Sequence, residues 1–185
     1  GQSVSSMASA NGLLYLLYAN GLLTSVKPAT REETMLATLP IGMASAAPAQ
    51  DGAPTISRLF SQDNKLYGLQ IDTGKWYSLL DESGAFASAE MPAKLDLSSL
   101  YDPDAMSYAV PNELCAANGS IYFLTDESIG SRDGNLFSVD LQTGKATAYK
   151  TESIVSLSSY KDGLLLASQF DTKALYTTAA LDKPA

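Results

Sequence analysis

The chain has 185 residues, 45% of them hydrophobic and 17% charged, and this composition predicts one folded domain, or two at most. Twenty acidic residues against twelve basic ones give a formal net charge of −8, and the basic residues are scattered singly. Without a basic patch we expect no nucleic-acid partner and no docking on anionic lipid. The chain has no histidine, which removes the commonest general base and transition-metal ligand.

Membrane insertion is also not expected, because no stretch approaches the roughly 20 apolar residues that a spanning helix needs. The chain begins on Gly1 rather than on a methionine, and its first ten residues are small and rich in Ser and Ala. Such a start is typical of the region that follows an export or lipoprotein signal. We therefore expect a bacterial protein outside the cytoplasm, secreted or lipid-anchored after removal of a leader.

Two Asn-Gly pairs, Asn11-Gly12 and Asn20-Gly21, bracket the first apolar stretch. Asn-Gly accepts positive φ at both central positions of a type I′ turn, so the pattern predicts three antiparallel strands joined by two tight hairpins. The next stretch has two interpretations. Thr30 to Glu33 forms a capping box that would begin a helix, whereas residues 34–38 alternate as a strand does. We favour the strand, because the first sheet otherwise lacks a fourth member.

The same arrangement then recurs, with a polar turn followed at once by a strand carrying Leu-Tyr or a similar pair. The four turns are Asn11-Gly12, Asn64-Lys65, Asn118-Gly119 and Asp162-Gly163. Repeats of about 40 to 55 residues with four short strands are typical of propeller blades. The blades are expected at about 3–39, 55–91, 113–151 and 154–181, with a loop at 40–54.

Residues 95–110 form an expected insertion with short helices, where Asp96 caps one turn and Asp102 caps another beginning at Pro103. The fold class predicted is all-β: antiparallel four-stranded blades in a single domain, a partial or small β-propeller of about four blades. Three architectures stay open, namely a fragment of a larger propeller, a small ring, and an open stack that self-associates through its edges. In a ring, Val4 to Ala8 would complete the last blade.

Two stretches, 64–76 and 134–145, share a leucine, an aromatic residue directly after it and, further on, Thr-Gly-Lys. Both resemble the repeats of quinoprotein-like β-propellers, the pyrroloquinoline-quinone-type repeats. The resemblance implies a blade hairpin, in a family that includes enzymes, assembly scaffolds and sensor domains. The chain departs from the family's pattern, because Trp76 follows Lys75 directly and four units are fewer than the usual seven or eight. We therefore infer no quinone cofactor and no catalytic residue.

The insertion supplies the candidate ligand-binding residues Tyr101, Asp102, Asp104 and Tyr108. Tyrosine beside aspartate suits a sugar or a peptide, and insertions on blade faces often carry sites. The alternative is a capped helical turn whose tyrosines pack on a blade.

A candidate metal site lies in the loop 126–135, where oxygen ligands from Asp126, Asp133 and Asn135 would suit calcium. The spacing is not that of an EF-hand, and Arg132 offers an internal partner, so we favour a plain polar loop and expect no cofactor.

The function predicted is non-catalytic: an extracytoplasmic binding or scaffold protein that uses blade-face loops to bind a protein, peptide or carbohydrate. Cys115 lies in an apolar context and is expected to be a buried, inert thiol. The tyrosines Tyr15, Tyr18, Tyr67 and Tyr122 are expected to pack between blades. The alternative function is a carbohydrate-active propeller hydrolase or lyase that works with carboxylates and tyrosine alone.

Overall fold

The computed structural model describes residues 2–40, 55–102, 106–108, 111, 113–125, 136–149, 154–160 and 163–168. The chain divides into two compact units, residues 1–92 and 93–185. Within the described ranges, no helix is long and apolar enough to cross a membrane.

The first unit contains two antiparallel four-stranded sheets, each with its strands in chain order. Sheet one consists of β1 (Val4–Ala10), β2 (Leu13–Tyr18), β3 (Leu22–Val26) and β4 (Glu33–Thr38). Sheet two consists of β5 (Arg58–Gln62), β6 (Lys65–Gln70), β7 (Lys75–Leu80) and β8 (Phe86–Glu90).

The second unit also contains a four-stranded antiparallel sheet with its strands in chain order. After a short 3₁₀ turn, η1 (Ser98–Leu100), it forms a small hairpin of β9 (Tyr101–Asp102) and β10 (Ser107–Tyr108). Sheet three follows with β11 (Glu113–Ala117), β12 (Ser120–Leu124), β13 (Leu136–Asp140) and β14 (Ala146–Tyr149). Sheet four has two strands in the part of the chain that is described, β15 (Ile154–Tyr160) and β16 (Gly163–Ser168). The prediction of an all-β fold built from antiparallel four-stranded blades is confirmed.

One face of each sheet contributes to a core shared with a neighbouring sheet, and in sheets two and three the opposite face also has buried side chains, such as Phe60 and Phe123. In the first unit, buried side chains of sheets one and two form one cluster, which includes Tyr15, Leu17, Leu23, Leu59, Leu66 and Leu79. In the second unit, sheets three and four share a cluster that includes Tyr122, Leu124, Leu136, Leu157 and Leu166. Each of these leucines is less than a tenth exposed, and each, once fully buried, contributes on the order of 1.5–3 kcal/mol to stability.

The tight turns follow the predicted chemistry at two of the predicted sites. Asn11-Gly12 and Asn118-Gly119 both have positive φ at each residue, as a type I′ turn requires. Sheet two differs, because its positive-φ pair is Asp63-Asn64 rather than the predicted Asn64-Lys65. The turn lies one residue earlier, since Lys65 is already paired with Gln62 in the strand ladder.

The second hairpin of sheet one is present, but its predicted turn type is wrong. Only Gly21 has positive φ, at 85°, and its N–H donates to the carbonyl of Tyr18 at 2.9 Å. The Asn20 side chain is used instead as an acceptor, at 3.2 Å from the N–H of Leu22. Asparagine therefore supports this turn through its side chain rather than through a left-handed backbone.

The favoured strand over residues 34–38 is confirmed as β4, and the competing helix is wrong. The Thr30 hydroxyl does accept from the backbone of Glu32, at 3.4 Å, but Arg31 has φ 59° and the chain turns there. The suggestion that Val4 to Ala8 completes the last blade does not match the pairing either. These residues belong to β1, which pairs along its length with β2.

Candidate functional site

The face of sheet one that points away from sheet two is the candidate site, and we call it the outer face. Strand register places Tyr18, Leu22, Thr24, Glu33 and Met35 on it, because they alternate with residues of the buried cluster. β1 adds Val4 and Met7 through their pairing with β2. On this face the side chains of Met7 and Met35 are 65% and 69% exposed, and that of Val4 is 46% exposed.

A β-bulge brings the polar members of the outer face together. Between Leu23 and Thr24 the pairing with β4 shifts by one residue, so that Thr24 lies opposite Met35 and Val26 lies opposite Glu33. The bulge re-aims side chains locally, as such irregularities commonly do.

The outer face contains a concavity of about 590 Å³. It is lined by Gln2, Tyr18, Leu22, Thr24, Glu33 and Met35. One carboxylate, two hydroxyls and an amide are thus set beside a thioether and an aliphatic side chain, the mixture found in sites that fix a polar group against an apolar wall.

Two hydroxyls hold the carboxylate of Glu33. The Tyr18 hydroxyl and the Thr24 hydroxyl each donate to Glu33 Oε1, at 2.7 Å in both cases. Thr24 is only 2% exposed, so one of the two donors is fixed in the sheet itself. The second oxygen, Oε2, accepts neither of these bonds.

The electrostatics follow from these bonds. Hydrogen bonds from Thr24 and then from Tyr18 lower the pKa of the Glu33 carboxyl, which is therefore ionised at neutral pH. The same contact, with Glu33 as acceptor, raises the pKa of the Tyr18 phenol, so the tyrosine keeps the proton that it donates. The pair is a stable carboxylate with protonated donors rather than a proton-transfer couple.

The predicted ligand-binding residues of the insertion are partly brought together. Tyr101 lies directly opposite Tyr108 in the ladder of β9 and β10, and Asp102 lies opposite Ser107. The side chain of Tyr101 is 42% exposed, whereas Asp104 lies outside the described residues. The turn beginning at Pro103, which Asp102 was expected to cap, lies outside the described residues. Asp96 lies one residue before Leu97, the N-cap of η1, and its Oδ1 accepts from the N–H of Ser98 at 3.0 Å.

The predicted calcium loop, with Asp126, Asp133 and Asn135, lies outside the described residues. Among the residues that are described, no group of three or more Cys, Asp and Glu side chains could hold a metal ion. Cys115 is partly buried, and burial followed by the charge of Glu113 raises the pKa of its thiol to about 12. At neutral pH this thiol is protonated, which makes it a poor nucleophile, although the sequence predicted a fully buried side chain.

The sequence interpretation missed the role of Tyr18, because it grouped all four strand tyrosines as packing residues. Tyr15 and Tyr122 are indeed buried in the two sheet-to-sheet clusters, and Tyr67 contacts Trp76 with ring centroids 5.2 Å apart. Tyr18 is three positions after Tyr15, and an odd spacing on a strand points to the opposite face. This odd spacing was the sequence feature that could have separated Tyr18 from the packing tyrosines.

No protein-family model matches the chain, and no curated protein matches it. Among solved structures, the chain is similar to the computationally designed Ika4 protein, with 14% identity and a TM-score of 0.47 over 95% of this chain and 91% of that one. It is also similar to the extracellular domain of a hybrid two component system from B. thetaiotaomicron (21% identity, TM-score 0.44, 95% of this chain, 22% of that one). A third similar structure is YCF48 bound to D1 peptide (8% identity, TM-score 0.42, 90% of this chain, 61% of that one). The chain spans less than two thirds of the length of the last two proteins.

Proposed function

We propose that this chain is a non-catalytic, extracytoplasmic binding or scaffold protein, and that it binds a protein partner through the outer face of sheet one. The observation that carries the proposal is the exposure of apolar side chains around the concavity. Met7 and Met35 are each about two thirds exposed. The solvent-facing side of an antiparallel sheet normally carries polar side chains instead.

The chemistry of the outer face suits recognition of a protein surface. Methionine is flexible and polarisable and adapts to irregular apolar partners, and Tyr18 adds a ring with a polar end. The exposed apolar side chains lie on the same face as the hydrogen-bonded carboxylate of Glu33, so the outer face offers both apolar and polar contacts to a partner. This proposal moves the binding surface from the predicted blade-face loops to a sheet face.

The same geometry argues against glycoside hydrolysis at this place. Hydrolysis with retention or inversion needs two carboxyl groups across one cleft, and Glu33 is the single acid among the residues that line the concavity. The Glu33 carboxyl also has a lowered pKa, the opposite of what a general acid needs. The extracytoplasmic location and the ligand role of the insertion stay predictions from the sequence.

The test is a selection of peptides from a displayed random library on the immobilised full chain. We expect enrichment on the wild type that is lost with Met35→Asp, which places a second negative charge in the lining of the concavity, on the edge strand β4. The matched control is Val155→Asp, because Val155 is 52% exposed on β15 in the second unit. Equal enrichment on all three proteins, or none on the wild type, would contradict the proposal.

A further inference from the structure

We propose that the concavity of the outer face binds the ammonium group of a lysine side chain that the protein partner supplies. This inference rests on the proposed binding function, and it names the chemical group that the site recognises. It is carried by the geometry at Glu33 and by the side chains that surround it.

The charge at the site is single and fixed. Glu33 is the one carboxylic acid in the lining, and the hydroxyls of Tyr18 and Thr24 hold its Oε1 from two strands. A carboxylate that is already oriented loses little conformational freedom when a cation binds, which favours a charged partner group. Among the six lining residues there is no lysine or arginine to neutralise it.

The nearest basic residue along β3 is already engaged. Lys27 follows Val26 and forms an exposed ion pair with Glu32, with Nζ and Oε2 2.8 Å apart. Glu32 and Glu33 are therefore adjacent carboxylates with different surroundings, one paired with an internal cation and one held by neutral hydroxyls. Only the second presents uncompensated negative charge to a partner.

The geometry favours lysine over arginine. A guanidinium group binds a carboxylate best as a fork that uses both oxygens. Oε1 of Glu33 already accepts two hydrogen bonds at 2.7 Å, which leaves Oε2 as the open acceptor. A lysine ammonium is a compact point charge that needs one such oxygen.

The walls suit the rest of a lysine side chain. The Tyr18 ring, the Leu22 side chain and the Met35 thioether line the concavity beside the carboxylate. The four-carbon stem of lysine buries well along apolar surface, and an aromatic ring beside an ammonium adds a cation–π attraction. An acetylated lysine would keep the stem contacts and lose the charge.

The experiment is an amide NMR titration of the full chain with the blocked pentapeptide acetyl-Gly-Ser-Lys-Ser-Gly-amide. The comparison probes carry acetyl-lysine or arginine in place of lysine, and n-butylammonium tests the free amine. We expect shifts at residues 18, 22–24 and 33–35, and affinity for the lysine peptide about tenfold above that for acetyl-lysine. Raising the salt concentration should weaken binding of the lysine peptide and leave binding of the uncharged acetyl-lysine peptide unchanged, because exposed charges are screened.

The matched variants are Glu33→Gln and Glu32→Gln, which remove one negative charge each at neighbouring positions. Glutamine at 33 can still accept from both hydroxyls, so the local structure is kept, and thermal unfolding followed by circular dichroism checks this. Glu33→Gln should abolish the preference for lysine, and Glu32→Gln should leave it intact. Equal losses in the two variants, equal binding of acetyl-lysine, or tighter binding of arginine would overturn the proposal.

Two further outcomes separate the source of the cation from the binding function. If n-butylammonium binds as tightly as the peptide, the site takes small amines and the lysine of a protein partner is the wrong occupant. If library peptides without lysine bind the outer face and lose binding with Met35→Asp, the proposed function stands and the lysine inference fails. If no peptide of any kind binds this face, both fail.

Discussion

In each unit a side chain of one sheet bonds to the first strand of the next sheet. The bond is at the same strand position in both units, but the side chains that make it differ in length. In the first unit the Ser6 hydroxyl, on β1, accepts from the backbone N–H of Leu59 on β5 at 2.8 Å. In the second unit the Glu113 carboxylate, on β11, accepts from the N–H of Leu157 on β15 at 2.5 Å. Each bond satisfies a donor on the open edge of a strand, a group that is costly to leave unpaired when partly buried.

The two positions are equivalent by register rather than by sequence similarity. Ser6 pairs with Leu17 and Glu113 pairs with Leu124, in each case four residues before the strand ends at its Asn-Gly turn. The leucines that donate are equivalent too, since each lies three residues before the last residue of its strand. The junction between neighbouring sheets thus requires an acceptor at one register position, and either a hydroxyl or a carboxylate can supply it.

The longer acceptor changes its surroundings. Glu113 also accepts from the Ser156 hydroxyl, at 3.2 Å to Oε2, and its charge lies near the thiol of Cys115. The corresponding residue in the first unit is Ala8, which pairs with Tyr15 as Cys115 pairs with Tyr122. The second unit therefore combines a carboxylate and a thiol where the first combines a hydroxyl and a methyl group.

The largest expected effect of this difference is on thiol reactivity. Burial and the Glu113 charge raise the pKa of Cys115 from 9.0 to about 12, so its thiolate fraction at pH 8 is about a thousandfold below that of an ordinary thiol. We expect the native chain to react with Ellman's reagent about a thousandfold more slowly than the urea-unfolded chain, and faster as the pH rises.

Glu113→Gln separates the two causes of the raised pKa. Because burial is the larger cause, the variant should react only modestly faster than the wild type in the folded state. Reaction of the native wild type at the rate of the unfolded chain would show that the second unit opens at this strand or that the thiol is not shielded.

The two Thr-Gly-Lys hairpins give the next largest expected effect. Gly74 and Gly144 have φ of 69° and 73°, and each N–H closes the same turn, onto the carbonyls of Gln70 and Asp140. In the second unit another segment docks on the hairpin, because the N–H of Asp96 donates to the Gly144 carbonyl at 2.8 Å. A Cβ on Gly144 would overlap the carbonyl oxygen of Lys94.

Gly144→Ala should therefore lower the free energy of unfolding by about 3 kcal/mol, through backbone strain together with this overlap. The matched control is Gly12→Ala, where φ is 71° and a Cβ would contact nothing within 4 Å, with an expected loss of about 1 kcal/mol. Urea denaturation followed by circular dichroism measures both. Equal losses of unfolding free energy would mean that the segment containing Lys94 moves to accommodate the added Cβ without lowering stability.

The parts of the fold that sequence could predict are those set by local chemistry. Asn11-Gly12 specifies its own turn, since few residue pairs accept positive φ twice in succession. The turn at Asp63-Asn64 escaped prediction, because a side chain at position 64 can serve either turn position and the ladder of β5 and β6 decides between them. Local signals located the hairpin and left its register open by one residue.

The candidate site could not be located in the same way, because its members come from distant parts of the chain. Tyr18 and Glu33 are on β2 and β4 and meet across β3, and their contact depends on the bulge beside Thr24. A one-residue change of register would move Glu33 to the other face. The predicted sites were instead clusters along the sequence, and most of their residues fall in or beside segments outside the described ranges.

The smallest expected effect tests the sheet-to-sheet junction that occurs once in each unit. Glu113→Ala should destabilise the chain by about 2 kcal/mol and Ser6→Ala by about 1 kcal/mol. Both substitutions leave a partly buried backbone N–H without its acceptor, and the first acceptor is also charged. Glu113→Gln keeps an acceptor of the same length and should recover most of the loss. Urea denaturation measures the differences in free energy.

The control for this comparison is Glu90→Ala, which removes an exposed carboxylate paired with Lys75 at 3.0 Å. No measurable change is expected there, since exposed ion pairs contribute little to stability. A loss for Glu113→Ala no greater than that for Glu90→Ala would mean that water replaces the carboxylate at the N–H of Leu157. The two junctions would then match in strand register but not in energetic role. A backbone N–H at a strand edge that water can reach needs no side-chain acceptor.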